Sequence, residues 1–416
     1  MAKYLINGGK KLDGKIKIES AKNAVLPLLA GAILTEEEVI IKSCPKISDV
    51  LSMIKILKKL GVKVEFNGDD LLINSSGLNS YTIPFYLTKE MRSSVFMLGA
   101  LISRLRKARI SYPGGCEIGL RPVDIHISAL KKLGVDVTEI SGEIICLAHN
   151  MKSDEVYLDF PSVGATENVI LSAVMNKGET VIRNSAREPE IVDLINFLNS
   201  MGAKITGGGT ETIRIEGVKS LHGTEYKPMP DRIEAGTYLI SAIMTGGNVE
   251  IHNCPAENIL SIIHKFCNNT CKIDTFNDII HIKGEKSPKA FSIATNPYPG
   301  YPTDMQAQAM ALATISDGTS FITENIFEMR FKHASELKKM GADIKICGRM
   351  AIVRGVKALS GATVCAEDLR GGAALVLAGL SAYGTTTVCD IFHIERGYLD
   401  MDKKLAMLGA DIVKTD

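Results

Sequence analysis

The 416-residue chain contains no tryptophan, and aromatic residues make up only 6% of it. Proteins that bind single-stranded nucleic acid commonly stack bases on aromatic side chains, so this composition disfavours that class. Lys and Arg together number 48, Asp and Glu 47, and the net charge is +1. No broad basic surface is expected, and we therefore predict no nucleic-acid partner.

Long apolar segments and paired metal ligands are also missing. There is no apolar run of about 18 residues, and the N-terminus MAKYLINGGKKLDG lacks the apolar core of a secretion signal. The nine cysteines are scattered, and only Cys267 and Cys271 lie close together, without a second pair or a His cluster. No phosphate-loop or dinucleotide motif follows a strand. We expect a cytoplasmic protein with reduced thiols, no membrane insertion, no metal and no cofactor.

One phrase recurs along the chain and marks an internal repeat. A helix ends at glycine and a short β-branched strand follows. The intact copies are KKLGVKVEF (58–66), KKLGVDVTE (131–139), NSMGAKITG (199–207), KKMGADIKI (338–346) and AMLGADIVK (406–414). A degenerate copy, FCNNTCKID, spans 266–274, where Asn269 replaces the glycine.

Each copy but the last is followed by a second alternating strand, which predicts a β-hairpin. The strand missing after the last copy has its counterpart at the other terminus, YLINGGKKLDG, so we expect the first and last strands to pair. Six units of about 70 residues then give two α/β domains. One covers residues 22–229, and the other combines 1–21 with 230–416. Chain crossings near 20–22 and 229–230 would form a hinge, with the cleft between domains as the expected ligand site.

One helix in each unit is apolar nearly all round, for example ATENVILSAVM and GGAALVLAGLSA. Burial on every side is the usual cause of such a pattern. Three such helices in each domain, surrounded by sheets, would form an inverted α/β barrel with its helices inside.

Polar residues at the starts of these helices need a separate explanation. Lys22 and Asn23 open one of them, where a lysine is electrostatically unfavourable. The lysine either extends into solvent or helps the helix N-terminus to bind a phosphate. Arg92 has a similar position and, taken alone, fits an ordinary residue of a first helical turn.

The segment PGGCEIGLRPVDIH (113–126) places a cysteine on a glycine-rich loop. Cys116 is either a small apolar filler or a thiol made reactive by Arg121 and a nearby helix N-terminus. Pro122 and Asp124 fit the start of a helix, which does not explain Arg121.

Asp304 also starts a helix, where Thr303 or Asp304 would serve as an N-cap or the carboxylate would serve as a base. Single arginines are usually solvated, but three at corresponding helix starts favour an anion site. These three are Arg330, Arg370 and Arg396. Arg187, Glu188 and Glu190 fit a structural helix start.

Seven of these segments together resemble the enolpyruvyl transferases, in particular those that act on UDP-N-acetylglucosamine. The segments are SAKNAVLPLLAG, PGGCEIGLRPVDIH, SVGATENV, AREPEIVDLINFL, PTDMQAQAMALA, EMRFKHASELKKMGA and DLRGGAALVLAGL. They occur in the family's order, and the resemblance extends over the whole chain. The family fold, two inverted α/β barrels of three repeats each, agrees with the repeat count.

The resemblance implies transfer of the enolpyruvyl group of phosphoenolpyruvate to the 3′-hydroxyl of UDP-N-acetylglucosamine, with release of phosphate, at the start of peptidoglycan synthesis. Cys116 matches the family's proton donor and is able to carry a covalent phosphoenolpyruvate adduct, and Asp304 matches the base. The phosphoenolpyruvate contacts correspond to Lys22, Asn23, Arg121, Arg330, Arg370 and Arg396, of which Lys22 and Arg396 are also matched as catalytic. The sugar-nucleotide contacts correspond to Asn23, Arg92, Arg121, Pro122, Val123, Asp124, Ile125, Ser162, Val163, Gly164, Asp304 and Ile326.

One segment departs from the family pattern. Some members carry a lysine two residues before Ser162, where this chain has Phe160 followed by Pro161. A charged contact to the diphosphate is therefore not expected from position 160. Two alternatives stay open, the shikimate-pathway enolpyruvyl transferase and a non-catalytic repeat scaffold. The first would not need the cysteine loop.

Overall fold

A computed structural model describes residues 2–112, 114, 123–267, 270–285 and 287–415. These residues divide into two units. Among the described residues, the split unit combines the chain up to Glu19 with the chain from Pro230 onward, and the other, here called the continuous unit, contains 20–112, 114 and 123–229. Movement about a hinge at the two crossings stays a prediction.

The strands are short, and most have one buried and one exposed face. In chain order they are β1 (Lys3–Asn7), β2 (Asp13–Lys17), β3 (Val39–Ile41), β4 (Lys63–Asn67), β5 (Asp70–Asn74), β6 (Thr82–Ile83), β7 (Lys107–Ser111), β8 (Asp136–Ile140), β9 (Glu143–Leu147), β10 (Glu155–Tyr157), β11 (Glu179–Arg183), β12 (Lys204–Thr206), β13 (Thr212–Glu216), β14 (Thr224–Tyr226), β15 (Asn248–His252), β16 (Cys271–Phe276), β17 (Ile279–Gly284), β18 (Ser292–Ala294), β19 (Thr319–Thr323), β20 (Asp343–Cys347), β21 (Met350–Arg354), β22 (Thr363–Cys365), β23 (Thr385–Cys389) and β24 (Asp411–Thr415).

The helices alternate with these strands. They are α1 (Lys22–Gly31), α2 (Ser48–Lys59), α3 (Phe85–Thr88), α4 (Met97–Leu105), α5 (Asp124–Lys132), α6 (Val163–Ala173), α7 (Pro189–Ser200), α8 (Arg232–Thr245), α9 (Leu260–Phe266), α10 (Gln306–Ala313), α11 (His333–Lys339), α12 (Leu369–Ser381) and α13 (Met401–Met407). Short 3-10 helices cover Ala32–Leu34, Arg92–Phe96, Ala256–Ile259, Thr303–Met305 and Ile391–Arg396.

Within the described ranges the strands form six four-stranded sheets, three in each unit. Every sheet has the same plan, in which two parallel strands are followed by an antiparallel pair, as in β10-β11-β13-β12. The predicted hairpins are confirmed, for example β4–β5 and β20–β21. The glycine after the helix has a positive φ in all five intact copies, at Gly61, Gly134, Gly202, Gly341 and Gly409. This left-handed geometry ends the helix and turns the chain into the strand.

The predicted pairing of the two termini is also confirmed. β1 lies between β23 and β24, antiparallel to both, and Leu5 faces Val413 in the register. The N-terminal strand thus completes the third sheet of the split unit.

The apolar helices are the interior of each unit. Nearly every residue of α1, α4, α6, α8, α10 and α12 is buried, whereas strands such as β1 and β5 alternate between buried and more exposed positions. Within each unit these helices also pack on one another, α4 against α6 and α10 against α12. Helices on the inside and sheets on the outside confirm the inverted α/β arrangement.

Candidate active site

In the split unit, Asp304 lies between Arg330 and Arg370, two of the three arginines that the sequence analysis assigned to an anion site. Arg330 Nη2 donates to Asp304 Oδ1 at 2.8 Å, and Arg370 Nη2 donates to Asp304 Oδ2 at 3.2 Å. The Asp304 side chain is 26% exposed, while those of Arg330 and Arg370 are only 6% and 3% exposed. One partly accessible carboxylate therefore pairs with two buried cations, and these three groups together keep a net charge of about +1.

Asp304 is not the N-cap that the sequence allowed. It lies within the 3-10 helix Thr303–Met305, which starts after Pro302 and has no side-chain cap. Its carboxylate is engaged by the two guanidinium groups, so the capping explanation is wrong for this residue. Thr303 is likewise not a cap, because its hydroxyl donates to Glu324 Oε2 at 2.9 Å.

Arg370 comes from the first turn of α12. Asp368 is the N-cap of that helix, and its Oδ1 accepts from the backbone N–H groups of Arg370 and Gly371 at 2.9 and 2.8 Å. The guanidinium also lies over the Tyr398 ring, 5.3 Å from the centroid. The cap and the ring together fix a long side chain that would otherwise sample many rotamers.

Arg330 precedes α11, and its guanidinium lies 5.4 Å from the Phe327 ring centroid. His333, in the first turn of α11, is neutral at physiological pH, because burial lowers its pKa to about 4 against the opposing effect of Asp368, and Arg330 lowers it further. The positive charge in this region therefore belongs to the arginines.

Two further predicted residues of the split unit lie on nearby elements of the same repeats. Ile326 is half-buried in the turn after β19, and its N–H donates to Glu324 Oε1 at 2.9 Å. Arg396 is the half-buried last residue of the 3-10 helix Ile391–Arg396.

In the continuous unit, Lys22 is the first residue of α1, and it does not extend into solvent. Its Nζ lies 3.4 Å from Asp49 Oδ2, with side-chain exposures of 13% and 4%. No side chain caps this end of α1. Asn23 follows and is half-buried. The interpretation that Lys22 extends into solvent is therefore wrong, because its ammonium group is held by Asp49 at the start of α1.

The start of α6 provides a second set of predicted residues. Ser162 is its N-cap and accepts from Ala165 N at 3.3 Å. Val163 and Gly164 form the first turn and are half-buried. A Cβ on Gly164 would lie 2.9 Å from His126 Cε1, so only glycine fits without displacing that ring. The predicted departure at Phe160 leaves an exposed aromatic side chain two residues before the cap.

The remaining predicted residues of this unit lie before and after the cysteine loop in the sequence. Arg92 opens the 3-10 helix Arg92–Phe96, and Asp124 is the exposed first residue of α5. Val123 is buried and Ile125 half-buried. Cys116, Arg121 and Pro122 lie outside the described residues.

Burial disfavours ionisation of several other thiols. It raises the pKa of Cys44, Cys146, Cys254 and Cys271 to about 12. All eight cysteines in the described ranges are free, and Cys347 is exposed.

The sequence did not indicate the residues that hold the candidate site side chains in place. Asp49 pairs with Lys22 and Glu324 binds Thr303, but each is one of many acidic residues in the sequence. Asn168 donates to His126 Nδ1 at 2.7 Å in the interior of the continuous unit. A polar residue inside the apolar helix segment ATENVILSAVM was the available signal for Asn168.

Over the ranges that the structure describes, no group of three or more His, Cys, Asp or Glu side chains is arranged to hold a metal ion. None of the described helices combines the length and the hydropathy of a membrane-spanning segment.

Comparisons with known proteins match the whole chain. The family model of EPSP synthase (3-phosphoshikimate 1-carboxyvinyltransferase) matches residues 6–405. UDP-N-acetylglucosamine 1-carboxyvinyltransferase 2 of Caldanaerobacter subterraneus is 52% identical, with 100% of both chains covered. UDP-N-acetylglucosamine 1-carboxyvinyltransferase of Geotalea uraniireducens is 46% identical over 100% of this chain and 99% of its own. In fold, the chain is similar to the enolpyruvyl transferase NikO of Streptomyces tendae, with a TM-score of 0.89 at 23% identity over 100% and 99% of the two chains.

Proposed function

We propose, since the chain belongs to the EPSP synthase family of enolpyruvyl transferases, that it is a transferase acting on UDP-N-acetylglucosamine. It moves the enolpyruvyl group of phosphoenolpyruvate to the 3′-hydroxyl of the sugar and releases phosphate. This is a step in peptidoglycan precursor synthesis, and through it the protein serves cell-wall biogenesis, cell shape and division. The observation that carries the choice of acceptor is the identity of 46–52% to full-length enzymes named for this sugar nucleotide.

The reaction is an addition followed by an elimination. A proton is added to C3 of the enol, C2 becomes electrophilic, and the sugar oxygen bonds to C2 as its own proton leaves. In the second stage C3 loses a proton, the C2–O bond to phosphate breaks, and the new enol ether and phosphate are released. An acid and a base are both needed.

Cys116 is assigned as the acid, and its thiol is also able to add to C2 as a covalent adduct. Asp304 is assigned as the base for the sugar hydroxyl. The exposed quarter of its side chain supports this role, because a base must reach the proton it removes. No cofactor takes part.

The phosphate and carboxylate of phosphoenolpyruvate are assigned to Lys22, Asn23, Arg121, Arg330, Arg370 and Arg396. Two facts about the arginines support this assignment. Arg330 Nε and Arg370 Nε and Nη1 are buried without a hydrogen-bond partner among the described residues. Buried donors without acceptors are costly, and an anion supplies acceptors. Fixed cations also stabilise charge that develops on the leaving phosphate.

The sugar nucleotide is assigned to Asn23, Arg92, Arg121, Asp304, Ile326, the residues 122–125 and the start of α6 at Ser162, Val163 and Gly164. A capped helix N-terminus is a favourable place for the diphosphate. Because Phe160 is uncharged, diphosphate binding rests on the helix start and the arginines. Both substrates are small metabolites, and the free thiols fit a reducing cytoplasm.

Phosphate release tests the proposal directly. Purified protein with phosphoenolpyruvate and UDP-N-acetylglucosamine should release phosphate, while shikimate 3-phosphate in place of the sugar nucleotide should give none. Omitting the sugar nucleotide provides the background. Phosphate release with shikimate 3-phosphate would identify the other branch of the family. If no phosphate is released with either acceptor, the non-catalytic scaffold is favoured.

A further inference from the structure

Glu324, directly after β19, has a carboxylate that is fully buried and saturated with hydrogen bonds. Its Oε1 accepts from Thr295 Oγ1 at 2.7 Å and from the N–H groups of Ile326 and Phe327 at 2.9 and 3.1 Å. Its Oε2 accepts from Thr303 Oγ1 at 2.9 Å. A buried carboxylate with four donors is a rigid anchor, because its rotation would break several bonds at once.

The hydrogen bond from Thr303 to Glu324 determines which further hydrogen bonds the Thr303 hydroxyl is able to form. A threonine has one hydroxyl proton, and Thr303 gives it to Glu324. The oxygen lone pairs are then available to accept, and Arg330 Nη1 donates to them at 2.9 Å. The other terminal nitrogen of the same guanidinium donates to Asp304 at 2.8 Å. A continuous chain of hydrogen bonds thus runs from Glu324 through Thr303 and Arg330 to Asp304.

A second connection reaches the same guanidinium. Glu324 accepts from Phe327 N, and the Phe327 ring lies 5.4 Å from the Arg330 guanidinium carbon. Arg330 is therefore held by the Thr303 hydroxyl, which donates to Glu324, and by the ring of Phe327, whose backbone N–H donates to Glu324.

We infer that Glu324 is a positioning residue, which orients Arg330 and thereby the Asp304 carboxylate for removal of the sugar hydroxyl proton. It also fixes the turn that carries Ile326, a proposed sugar-nucleotide contact. The inference rests on the proposed function, because it gives Glu324 a role in that reaction. A purely structural alternative is that Glu324 only stabilises the turn after β19.

The pH dependence separates these alternatives. A base must be ionised, so the rate falls at low pH as Asp304 is protonated. An adjacent cation favours the ionised carboxylate. We call the fall of the rate at low pH the acid limb of the pH–rate profile. Loosening Arg330 should raise the pKa of Asp304 and move the acid limb to higher pH. Removing the negative charge of Glu324 alone should lower that pKa and move the acid limb to lower pH. The direction of the movement therefore identifies the cause.

Thr303→Val is the cleanest variant, because it breaks the chain of hydrogen bonds without changing charge. We expect kcat to fall about 10- to 100-fold, as a misplaced catalytic group does. The acid limb should move up by about one pH unit. KM for UDP-N-acetylglucosamine should stay within about twofold, because the Ile326 turn remains bound to Glu324. Thr303→Ser should restore the wild-type values.

Glu324→Gln should lower kcat similarly, raise the acid limb and also raise KM for UDP-N-acetylglucosamine. Glu336→Gln is the matched control, since Glu336 is a buried carboxylate of the same unit that accepts from Cys365 N at 2.9 Å and lies outside this network. Thermal midpoints of all variants, measured with and without sugar nucleotide, confirm folding.

The inference is overturned if Thr303→Val and Glu324→Gln keep kcat within about threefold of Glu336→Gln, or if the acid limb stays in place or moves down. A wild-type protein that turns over neither acceptor refutes the proposed function instead. In that case carboxyl ¹³C NMR of Asp304 still decides the positional claim, since its titration midpoint should rise in Thr303→Val but not in Glu336→Gln.

Discussion

Asp304 pairs with two buried guanidinium groups, and these two contacts fix its own rotamer. Removing the Asp304 carboxylate would leave both buried guanidinium groups without an ion-pair partner. The loss in folding free energy is far larger than for breaking an exposed ion pair. A residue with this environment supports both the stability of the split unit and the geometry of the proposed reaction.

Asp304→Asn should therefore destabilise the protein by about 3 kcal/mol and abolish phosphate release. Urea unfolding provides the measurement. Asp343→Asn is the control, because Asp343 forms an exposed 3.7 Å pair with Arg354, and we expect a loss of at most about 1 kcal/mol. Equal losses in the two variants would contradict the role given to Asp304 in pairing with buried charge.

Cys116→Ala should abolish turnover at neutral pH and leave binding of UDP-N-acetylglucosamine intact, because only the proton donor is lost. Cys116→Asp should keep some activity, since a carboxyl group also donates a proton. Phosphate release and calorimetric binding are the measurements. Full activity of the alanine variant would exclude Cys116 as the acid.

The epoxide fosfomycin should alkylate Cys116 selectively. The raised pKa values of Cys44, Cys146, Cys254 and Cys271 keep those thiols protonated at neutral pH. The exposed Cys347 is the competing site, so the Cys347→Ser variant is the control. Peptide mass spectrometry that finds the adduct on another cysteine would count against a specially activated Cys116.

At this scale the sequence pointed to the candidate site residues more readily than to the residues that hold them in place. Lys22, Asp304, Arg330 and Arg370 were visible because they interrupt repeat patterns and match family motifs. Asp49, far from Lys22 in the chain, was not visible, since pairing across such distances depends on the folded backbone.

At the scale of elements, the proposed ligand residues concentrate at helix starts. α6 and α12 have side-chain caps, Ser162 and Asp368, while α1 has none. Helix starts carry unpaired N–H groups and a positive partial charge, and this explains why predicted anion contacts fall there in both units.

Ser162→Ala should lower the free energy of unfolding by about 1 kcal/mol through loss of the cap to Ala165 N. It should also raise KM for UDP-N-acetylglucosamine, if the start of α6 binds that substrate. Ser162→Thr keeps the capping oxygen and is the control. Urea titration and steady-state kinetics separate the two effects, and an unchanged KM would remove Ser162 from the nucleotide site.

Glu167, in the middle of α6, predicts a pH dependence of stability. Burial, and secondarily Glu190 and Glu188, raise its pKa well above the usual range. A folded-state pKa above the unfolded value means that the stabilising contribution is complete below about pH 4.3 and is lost as pH rises through the folded pKa. Glu167→Gln should abolish this loss and exceed wild type in stability at pH 9, whereas the exposed Glu216→Gln should not. Thermal unfolding from pH 5 to 9 provides the test, and parallel curves for wild type and Glu167→Gln would contradict it.

Helices, hairpins and the turning glycines were predictable because each depends on neighbouring residues. The 3-10 helix at Thr303–Met305 was not, and the capping explanation for Asp304 failed with it. The reason is that its two arginine partners, at 330 and 370, come from later elements and determine the local geometry.

At the scale of the whole molecule, the division of the chain follows from its ends. Because β1 fills a place in the last sheet, residues 2–19 join a unit otherwise formed after residue 230. The sequence predicted the pairing of the first and last strands from the missing repeat strand. How the two units move during the reaction stays a prediction, since a pattern of repeats specifies neighbours within a unit and not motion between units.

Ile6→Ala, at a fully buried position of β1, should destabilise the split unit by about 2–5 kcal/mol. Hydrogen exchange should accelerate in β23 and β24 and remain unchanged in β4 and β5 of the continuous unit. Ile140→Ala removes an exposed side chain on β8 and is the control. Equal acceleration in both units would show that their stabilities are not separable at this position.

β1, early in the sequence, is thus bonded to β23 and β24, which are translated much later. During synthesis, β1 has no partner strand until β23 (Thr385–Cys389) and then β24 (Asp411–Thr415) have been translated. The described strands of the continuous unit all come from residues 20–229. The continuous unit is able to fold on the nascent chain, as early domains generally do. The split unit, with Asp304 and its arginines, is complete only once β24 has been translated, so we expect its part of the proposed site to form later than the part in the continuous unit.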